Sequence, residues 1–214
     1  MKGMKAQLNL AQSSNFWTPT VMGYDLWRRR SLSLMTGEPF SLEKEFRQFL
    51  EWVGPVTGQQ WLDVGTSTGN YAKLLVQAGA AVTALDLSAG HLKRLPRHPR
   101  LHALQGNMEE ELFASGSFDG VVIAGTLNET FSPEQMLLKA GQVLKEKGVL
   151  YLMYLLPSQH LAGQRLQSLI SRSGIHFLES QTIERYLRLH NMALEKQKRH
   201  AIVCFELYRK AGGV

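Results

Sequence analysis

Residues 61–71 read WLDVGTSTGNY, which is an apolar run, a turn of small residues and the start of a helical pattern. The run predicts a buried strand, and the apolar spacing over 71–79 predicts a helix. Glycine in a turn before a helix lets a ligand approach the backbone closely. The next apolar run, 82–86, ends on Asp86, 23 residues after Asp63. A carboxylate there can accept hydrogen bonds from ribose hydroxyls, so the two features together predict a nucleoside-cofactor site.

Strands and helices alternate along the middle of the chain. Apolar runs predict further strands at 101–105, 118–124 and 149–156. Ser88 begins a short predicted helix that Pro96 ends. Ser132 and Pro133 begin another predicted helix, which runs to Lys147 with Gly148 as its C-cap. This alternation is typical of a parallel sheet covered by helices on both faces.

The last third of the chain departs from this alternation. Residues 159–171 and 180–189 predict helices, and 193–199 and 200–209 predict two adjacent strands with little between them. Strands joined so closely must be antiparallel. We therefore expect an α/β fold: a Rossmann-like, doubly wound, seven-stranded, mostly parallel sheet with an antiparallel C-terminal edge hairpin.

The first fifty residues differ in character from the rest. A helix is predicted after Ser41, its N-cap, and Gly54-Pro55 ends it. A helix over 24–35 is predicted before it. We expect residues 1–45 to form a helical lid segment and residues 46–214 to form the cofactor-binding domain.

Composition limits the class of protein. Hydrophobic residues make up 44% of the chain, which is ample for one core, and the longest apolar run is too short to span a membrane. Without a signal-peptide pattern at the N-terminus, we expect a cytoplasmic protein with no membrane span. Cys204 is the only cysteine and lies in a predicted strand, which excludes an internal disulfide and predicts a packed thiol. We expect no metal site.

The net charge of +6 permits an acidic partner such as RNA. However, no aromatic residues interleave with the basic runs, as base-stacking surfaces require. Solvated basic faces are therefore favoured over a nucleic-acid interface.

Five motifs in order resemble one family, the class I S-adenosylmethionine-dependent methyltransferases. They are LDVGTSTG at 62–69, LDLS at 85–88, QGNME at 105–109, SFDGVV at 117–122 and LKEKGVL at 144–150. The resemblance covers residues 45–210 and is closest to the small-molecule branch that includes quinone-ring methyltransferases. It implies S-adenosyl-L-methionine as the cofactor and methyl transfer to an O, N or C atom of a small, aromatic or apolar molecule.

The resemblance also implies which residues contact the cofactor. Asp63 would meet its ammonium group, Asp86 its ribose, and Asn107 with Met108 its adenine. The full predicted set is Tyr24, Asp63, Gly65, Thr66, Ser67, Gly69, Asp86, Leu87, Asn107, Met108, Ala124 and Thr126. A purely structural role stays open for three of these residues: Asp63 could cap the turn, Asp86 could cap the next helix, and Asn107 could be a turn residue. Asp119 comes early in its strand and is interpreted as structural.

The sequence departs from the family pattern at two positions. Ser67 replaces the middle glycine of the usual turn, and Asn107 stands where the family usually has Asp. These departures leave open a non-catalytic, S-adenosylmethionine-binding module on the same fold.

Two other enzyme classes share part of this turn pattern. Residues 65–69 fit G-x-S-x-G, the motif that places a nucleophilic serine in α/β-hydrolases, with Ser67 in that role. That interpretation needs a later histidine, and those available are His160, His176, His190 and His200. An NAD-dependent dehydrogenase would need G-x-G-x-x-G, which the turn lacks.

No catalytic base is evident, and His160 and His190 are considered only because they lie in the variable C-terminal third. Residues 124–129 read AGTLNE and lack the Asn/Asp-Pro-Pro-Tyr/Phe motif, which argues against adenine methylation in nucleic acid.

Large aromatic side chains precede the core, and we expect Trp17 and Tyr24 among them to line the acceptor pocket. The others are Phe16 and Trp27.

Overall fold

The structure is a computed structural model that describes residues 41–213. The α-helices are α1 (Leu42–Val53), α2 (Asn70–Gln77), α3 (Ala89–Leu92), α4 (Pro133–Val143), α5 (Leu161–Ser171) and α6 (Ser180–Leu189). The strands are β1 (Gln60–Val64), β2 (Ala81–Asp86), β3 (Leu101–Gln105), β4 (Phe118–Ala124), β5 (Leu144–Leu155), β6 (Met192–His200) and β7 (Val203–Lys210). A 3₁₀ helix spans Thr126–Asn128.

The seven strands form one sheet in the order β3-β2-β1-β4-β5-β7-β6. Strands β1 to β5 pair in parallel, whereas β7 is antiparallel to both β5 and β6. The predicted fold class, including the antiparallel hairpin at the C-terminal edge, is confirmed. The strand order reverses between β1 and β4, and ligands bind at the carboxyl ends of strands at such a point.

Helices cover both faces of the sheet, as the alternation predicted. Strand β5 supplies a core on each side: Leu152 packs into one cluster and Tyr151 into the other, because successive side chains point to opposite faces. The Leu152 cluster includes residues from α4 and α6, and the Tyr151 cluster includes residues from α1 and α2. Strand β5 is thus apolar on both faces because helices cover it on both sides.

Helix α1 confirms the predicted cap and stop. The Ser41 side chain accepts the backbone N–H of Lys44 at 3.3 Å, and Gly54 forms the C-cap with a φ of 71°. Phe49 of α1 is fully buried against the sheet. The predicted lid over 1–45 lies almost wholly outside the described residues, as does the predicted helix over 24–35, so both stay predictions.

The predicted end of α4 was wrong. The helix ends at Val143 instead of Lys147, and β5 begins at Leu144. Leu144 is fully buried and pairs with Phe118 of β4, so tertiary pairing overrides the helical preference of the segment 144–147. Gly148 is not a C-cap but lies inside β5, where a Cβ atom would come within 2.9 Å of the Lys145 carbonyl oxygen.

Asp119 has the structural role that its position predicted. Its carboxylate accepts the backbone N–H of Gln60 at 2.8 Å and the Lys145 ammonium at 2.9 Å. Partial burial works against ionisation, but these two donors outweigh it and lower the pKa of Asp119 below its ordinary value. The residue therefore ties the start of β1 to β4 and β5.

The remaining boundaries differ little from prediction. The short helix after Ser88 spans only Ala89–Leu92, and α5 begins at Leu161 instead of Gln159. Within residues 41–213, no helix combines the length and apolar character needed to cross a membrane.

Candidate functional site

A cleft opens at the carboxyl ends of β1, β2 and β4, where the strand order reverses. It is the place where an open α/β sheet binds ligands. Seven of the predicted cofactor-binding residues line it: Gly65, Ser67, Asp86, Leu87, Asn107, Met108 and Thr126. The predicted residues that do not line it are Asp63, Thr66, Gly69 and Ala124. Tyr24 lies outside the described residues, as do Phe16, Trp17 and Trp27.

Asp63 holds the turn that follows β1. Its carboxylate accepts the Thr66 hydroxyl at 2.6 Å and the backbone N–H of Ala72 at 3.1 Å. Both bonds are buried and join the turn to the first turn of α2. Asp63 thus caps the turn, which is the structural alternative given above. Its contact with the cofactor ammonium group stays a prediction.

Gly65 is required where the turn meets the end of β4. Its φ of 66° is left-handed, and a Cβ atom added there would collide with the Thr126 side chain. The Thr126 hydroxyl in turn donates to the Val64 carbonyl oxygen at 3.3 Å. Only glycine lets the β1 and β4 ends meet this closely on the cleft wall.

Gly69 also has a structural role that the sequence did not predict. It is the left-handed N-cap of α2, with a φ of 76°, and Leu95 fills the space a Cβ atom would need. It therefore makes room for a leucine side chain of this protein. A direct contact of Gly69 with the cofactor stays a prediction.

Ser67 adopts a backbone conformation that glycine usually occupies. Its φ is 49°, its backbone N–H donates to Asp86 Oδ2 at 2.8 Å, and the residue is only 6% exposed. Within the part of the chain that the structure describes, the buried Ser67 hydroxyl has no hydrogen-bond partner. No described residue is hydrogen-bonded to this hydroxyl as a base, which disfavours the hydrolase interpretation, because a nucleophilic serine needs a hydrogen-bonded base.

Asp86 places a fixed carboxylate on the cleft wall. Oδ2 accepts the Ser67 backbone N–H and Oδ1 accepts that of Ser88, each at 2.8 Å. The side chain is buried at the cleft, and Nδ1 of the buried His91 lies 3.4 Å from Oδ1. Asp86 thus joins the β1 turn to the start of α3, and its position is set before any ligand arrives.

Asn107 and Met108 line the cleft just after β3. The Asn107 side-chain oxygen accepts the backbone N–H of Glu109 at 3.1 Å, so it has the turn role that was left open. Glu109 accepts the Thr130 hydroxyl and the backbone N–H groups of Phe131 and Ser132, the latter two at 3.0 and 3.1 Å. This wall is therefore tied to the start of α4.

Seven residues that line the cleft were not in the predicted set. Val64, Leu85 and Gly106 lie inside the quoted motifs, and the four outside them are His91, Glu129, Thr130 and Met136. His91 lies about one helical turn after Asp86, a spacing that could have suggested it. Glu129 follows the 3₁₀ helix, whose path no motif predicted. The candidate bases His160 and His190 are both exposed and do not line the cleft, and His190 packs against the Tyr186 ring. Residues 41–213 hold no cluster of metal-ligating side chains.

Comparisons with known proteins agree with this geometry. Residues 62–152 match the family model described as "Methyltransferase domain". The demethylmenaquinone methyltransferase of Renibacterium salmoninarum is 36% identical over 105 residues, which are 49% of this chain and 44% of that protein. The ubiquinone biosynthesis O-methyltransferase of Albidiferax ferrireducens is 34% identical over 130 residues, 51% of this chain and 50% of that protein. A tRNA U34 carboxymethyltransferase of Syntrophotalea carbinolica is 29% identical over 62% of this chain and 44% of its own length. The chain thus matches about half the length of these curated relatives.

Solved structures share the fold at low sequence identity. An S-adenosylmethionine dependent methyltransferase from Mesorhizobium loti has a TM-score of 0.66 and 15% identity, with 78% of this chain and 96% of that chain covered. The cyclase SpnF has a TM-score of 0.73 and 13% identity, with 100% of both chains covered.

Residues 62–152 are thus similar to a methyltransferase domain. The chain has the fold of the class I S-adenosylmethionine-dependent methyltransferases, and the resemblance predicted from its sequence is confirmed.

Proposed function

We propose that this chain binds S-adenosyl-L-methionine in the cleft and transfers its methyl group to a small, aromatic or apolar molecule. One observation carries the proposal: the Asp86 carboxylate lies on the cleft wall and is fixed by two backbone N–H groups at 2.8 Å. Ribose hydroxyls are hydrogen-bond donors, and an ionised carboxylate can accept two of them. An acid after the second strand is the usual partner of a nucleoside ribose in such folds.

The lining residues fit the rest of the cofactor. In this proposal Asn107 and Met108 hold the adenine, and Leu87 packs against the nucleoside. Gly65 and Thr126 border the methionine half, and Thr66 supports that border through its hydrogen bond to Asp63. The turn residues Asp63 and Gly69 and the strand end at Ala124 support that border from behind. The buried Ser67 hydroxyl and the Asp86 carboxylate are polar groups that a ligand in the cleft could satisfy.

The cofactor supplies a methyl group that is already activated on sulfur, so the protein's main task is alignment. The fixed carboxylate of Asp86 and the packed pair of Gly65 and Thr126 give the cleft walls a set position. Besides Asp86, the titratable side chains that line the cleft within residues 41–213 are His91 and Glu129. A hydroxyl or amine acceptor would pass its proton to one of these two groups.

The nature of the lining supports a small acceptor. Apolar side chains of Leu85, Leu87, Met108 and Met136 form part of the walls. Two relatives carry names that refer to demethylmenaquinone or to ubiquinone biosynthesis, and quinones are ring compounds. One relative is named for tRNA, so a nucleic acid is a second acceptor class to test. The cytoplasmic location inferred from the sequence is part of the same proposal.

Isothermal titration with S-adenosylhomocysteine, the demethylated cofactor, tests binding. We expect a dissociation constant near 1 μM, equivalent to about −8 kcal/mol. Asp86→Asn should weaken binding by about 1.5–3 kcal/mol, the scale of a hydrogen bond to a charged group. Glu43→Gln is the control, because Glu43 is exposed and pairs only with Arg47 on α1 in the described structure.

Two outcomes would contradict the proposal. Absence of binding at millimolar ligand would remove the cofactor site. Binding without transfer of a labelled methyl group to any member of a panel of hydroxylated aromatic compounds or to tRNA would favour the non-catalytic binding module.

A further inference from the structure

Ser67 carries two structural costs at the cleft. Its φ of 49° is left-handed, which is unfavourable for any residue with a side chain. Glycine would adopt this conformation without that cost. The residue at this position is therefore a serine although its backbone conformation favours glycine.

The second cost is the hydroxyl itself. Ser67 is 6% exposed, and its Oγ has no hydrogen-bond partner within residues 41–213. A buried polar group without a partner destabilises the folded state. Within residues 41–213 no hydrogen bond of the Ser67 hydroxyl offsets this second cost, and Ser67 lines the cleft. A ligand in the cleft is thus the partner that the geometry offers.

The backbone bond to Asp86 indicates which part of a ligand is near. The Ser67 N–H is 2.8 Å from Asp86 Oδ2, and only three covalent bonds separate that nitrogen from Oγ. An ionised carboxylate only accepts hydrogen bonds, whereas a serine hydroxyl can donate. A ribose diol needs both, because each of its hydroxyls has a proton to give and lone pairs to fill.

We propose that Ser67 Oγ is a ribose-recognition group that donates to a ribose oxygen while Asp86 accepts from the diol. This inference rests on the proposed function and assigns one side chain within it. Ser67 and Asp86 act as a pair. The Ser67 backbone N–H donates to the Asp86 carboxylate, and in this proposal both side chains contact the same ribose. Glycine at position 67 would keep the backbone bond and lose the hydroxyl.

Two substitutions separate the hydroxyl from the backbone strain. Ser67→Ala removes the hydroxyl and keeps a Cβ atom, and Ser67→Gly removes both the hydroxyl and the strain. Both should weaken S-adenosylhomocysteine binding about 3- to 10-fold, the scale of one neutral hydrogen bond. Both variants should raise the melting temperature of the ligand-free chain, because both remove the unpartnered hydroxyl, and Ser67→Gly should raise it further through relief of the left-handed conformation. Ala201→Gly is the matched control, because Ala201 has a φ of 51° in the exposed turn between β6 and β7. It should stabilise the fold and leave binding unchanged.

Cofactor analogues locate the contact. Methylthioadenosine lacks the amino-acid end, and the Ser67→Ala penalty should persist with it. With S-adenosylhomocysteine analogues that lack the 2′- or the 3′-hydroxyl, the penalty should disappear for one of the two. A penalty lost with methylthioadenosine would place the hydroxyl at the amino-acid end and overturn the ribose assignment.

Two further results are decisive. If the wild-type chain binds S-adenosylhomocysteine and both Ser67 variants bind it equally well, the inference fails and the proposed function stands. If the wild-type chain binds none of these ligands, the proposed function fails and this inference fails with it.

Discussion

The side-chain amide of Asn128 is hydrogen-bonded to both backbone polar groups of Leu155. Its Oδ1 accepts the Leu155 N–H at 2.8 Å, and its Nδ2 donates to the Leu155 carbonyl oxygen at 3.0 Å. The same Nδ2 also donates to the His176 carbonyl oxygen at 2.6 Å. One buried amide thus ties the segment after β4 to the end of β5 and to the chain that leads into α6. That segment carries Thr126 and Glu129 on the cleft wall.

Asn128→Ala should lower the free energy of unfolding by about 2–4 kcal/mol, because it removes three hydrogen bonds to partly buried backbone groups of Leu155 and His176. Urea unfolding followed by circular dichroism measures the change. Gln181→Ala is the control, since Gln181 is exposed on α6 and its loss should change stability by less than about 0.5 kcal/mol. A similar effect from both variants would contradict the bracing role of Asn128.

Gly65→Ala should be far more damaging than Gly58→Ala. Both glycines have left-handed φ angles, 66° and 77°, so both substitutions introduce backbone strain of roughly 1–2 kcal/mol. Only at Gly65 would the new Cβ atom collide with Thr126, whereas at Gly58 it would meet open space. We expect Gly65→Ala to cost about 1–3 kcal/mol more, the usual range for overpacking. Equal unfolding free energies for the two variants would refute the close approach of β1 and β4.

Asp119 should stabilise the fold at neutral pH but not in acid. Because the pKa of Asp119 in the folded chain lies below its ordinary value of 3.8, its contribution is present above pH 4 and is lost as pH falls through the folded pKa. Asp119→Asn should destabilise the protein by about 1 kcal/mol at pH 7, and the difference from wild type should shrink toward pH 2. Unfolding free energies at pH 7, 4 and 2 give this comparison.

Glu111→Gln serves as the reference in that series. Glu111 pairs with Lys139 but its side chain is 89% exposed, so we expect a change below about 0.5 kcal/mol at pH 7. A pH-independent difference between Asp119→Asn and wild type would show that the lost bonds, and not the charge, account for the effect.

Cys204 should be almost inert in the folded protein. Burial, followed by the nearby Glu206 carboxylate, raises the pKa of the Cys204 thiol to about 11. Glu206 is itself fully buried and accepts Ser180 Oγ at 2.6 Å and Tyr208 Oη at 2.8 Å. At pH 8 such a thiol has roughly 100-fold less thiolate than one of pKa 9, so alkylation by iodoacetamide should be slower in the folded chain by at least that factor.

The same shift has a consequence for stability. Since the pKa of the Cys204 thiol in the folded chain lies above its ordinary value of 9.0, its stabilising contribution is present below pH 9 and is lost as pH rises toward 11. Cys204→Ala is the labelling control, because Cys204 is the only cysteine. Equal alkylation rates for the folded chain and the chain in denaturant would contradict the buried position.

Local sequence predicted most of the sheet. The strands over 101–105 and 118–124 have the bounds that the apolar runs predicted, and Ser41 and Ser132 cap the helices that their positions predicted. The end of α4 could not be predicted in this way. The segment from Leu144 to Lys147 has good helix formers, but the pairing of Leu144 with Phe118 and of Lys145 with Asp119 decides its conformation. Such contacts are long-range, so no local pattern reports them.

The candidate site also combines residues that local sequence predicts with residues that depend on long-range contacts. The turn after β1 and the acid after β2 were predictable because parallel strands bring their carboxyl ends to one edge. His91 and Glu129 were not, since their positions depend on the geometry of α3 and of the 3₁₀ helix. Ser67 was recognised as a departure from the family pattern. Its left-handed backbone and its hydroxyl without a partner are visible only in three dimensions.

A crystal structure of the full chain with S-adenosylhomocysteine tests the central claim most directly. We expect the ligand in the cleft between the ends of β1, β2 and β4, with its ribose hydroxyls within hydrogen-bond distance of the Asp86 carboxylate. A ligand bound elsewhere, or a ribose that does not contact Asp86, would contradict the account.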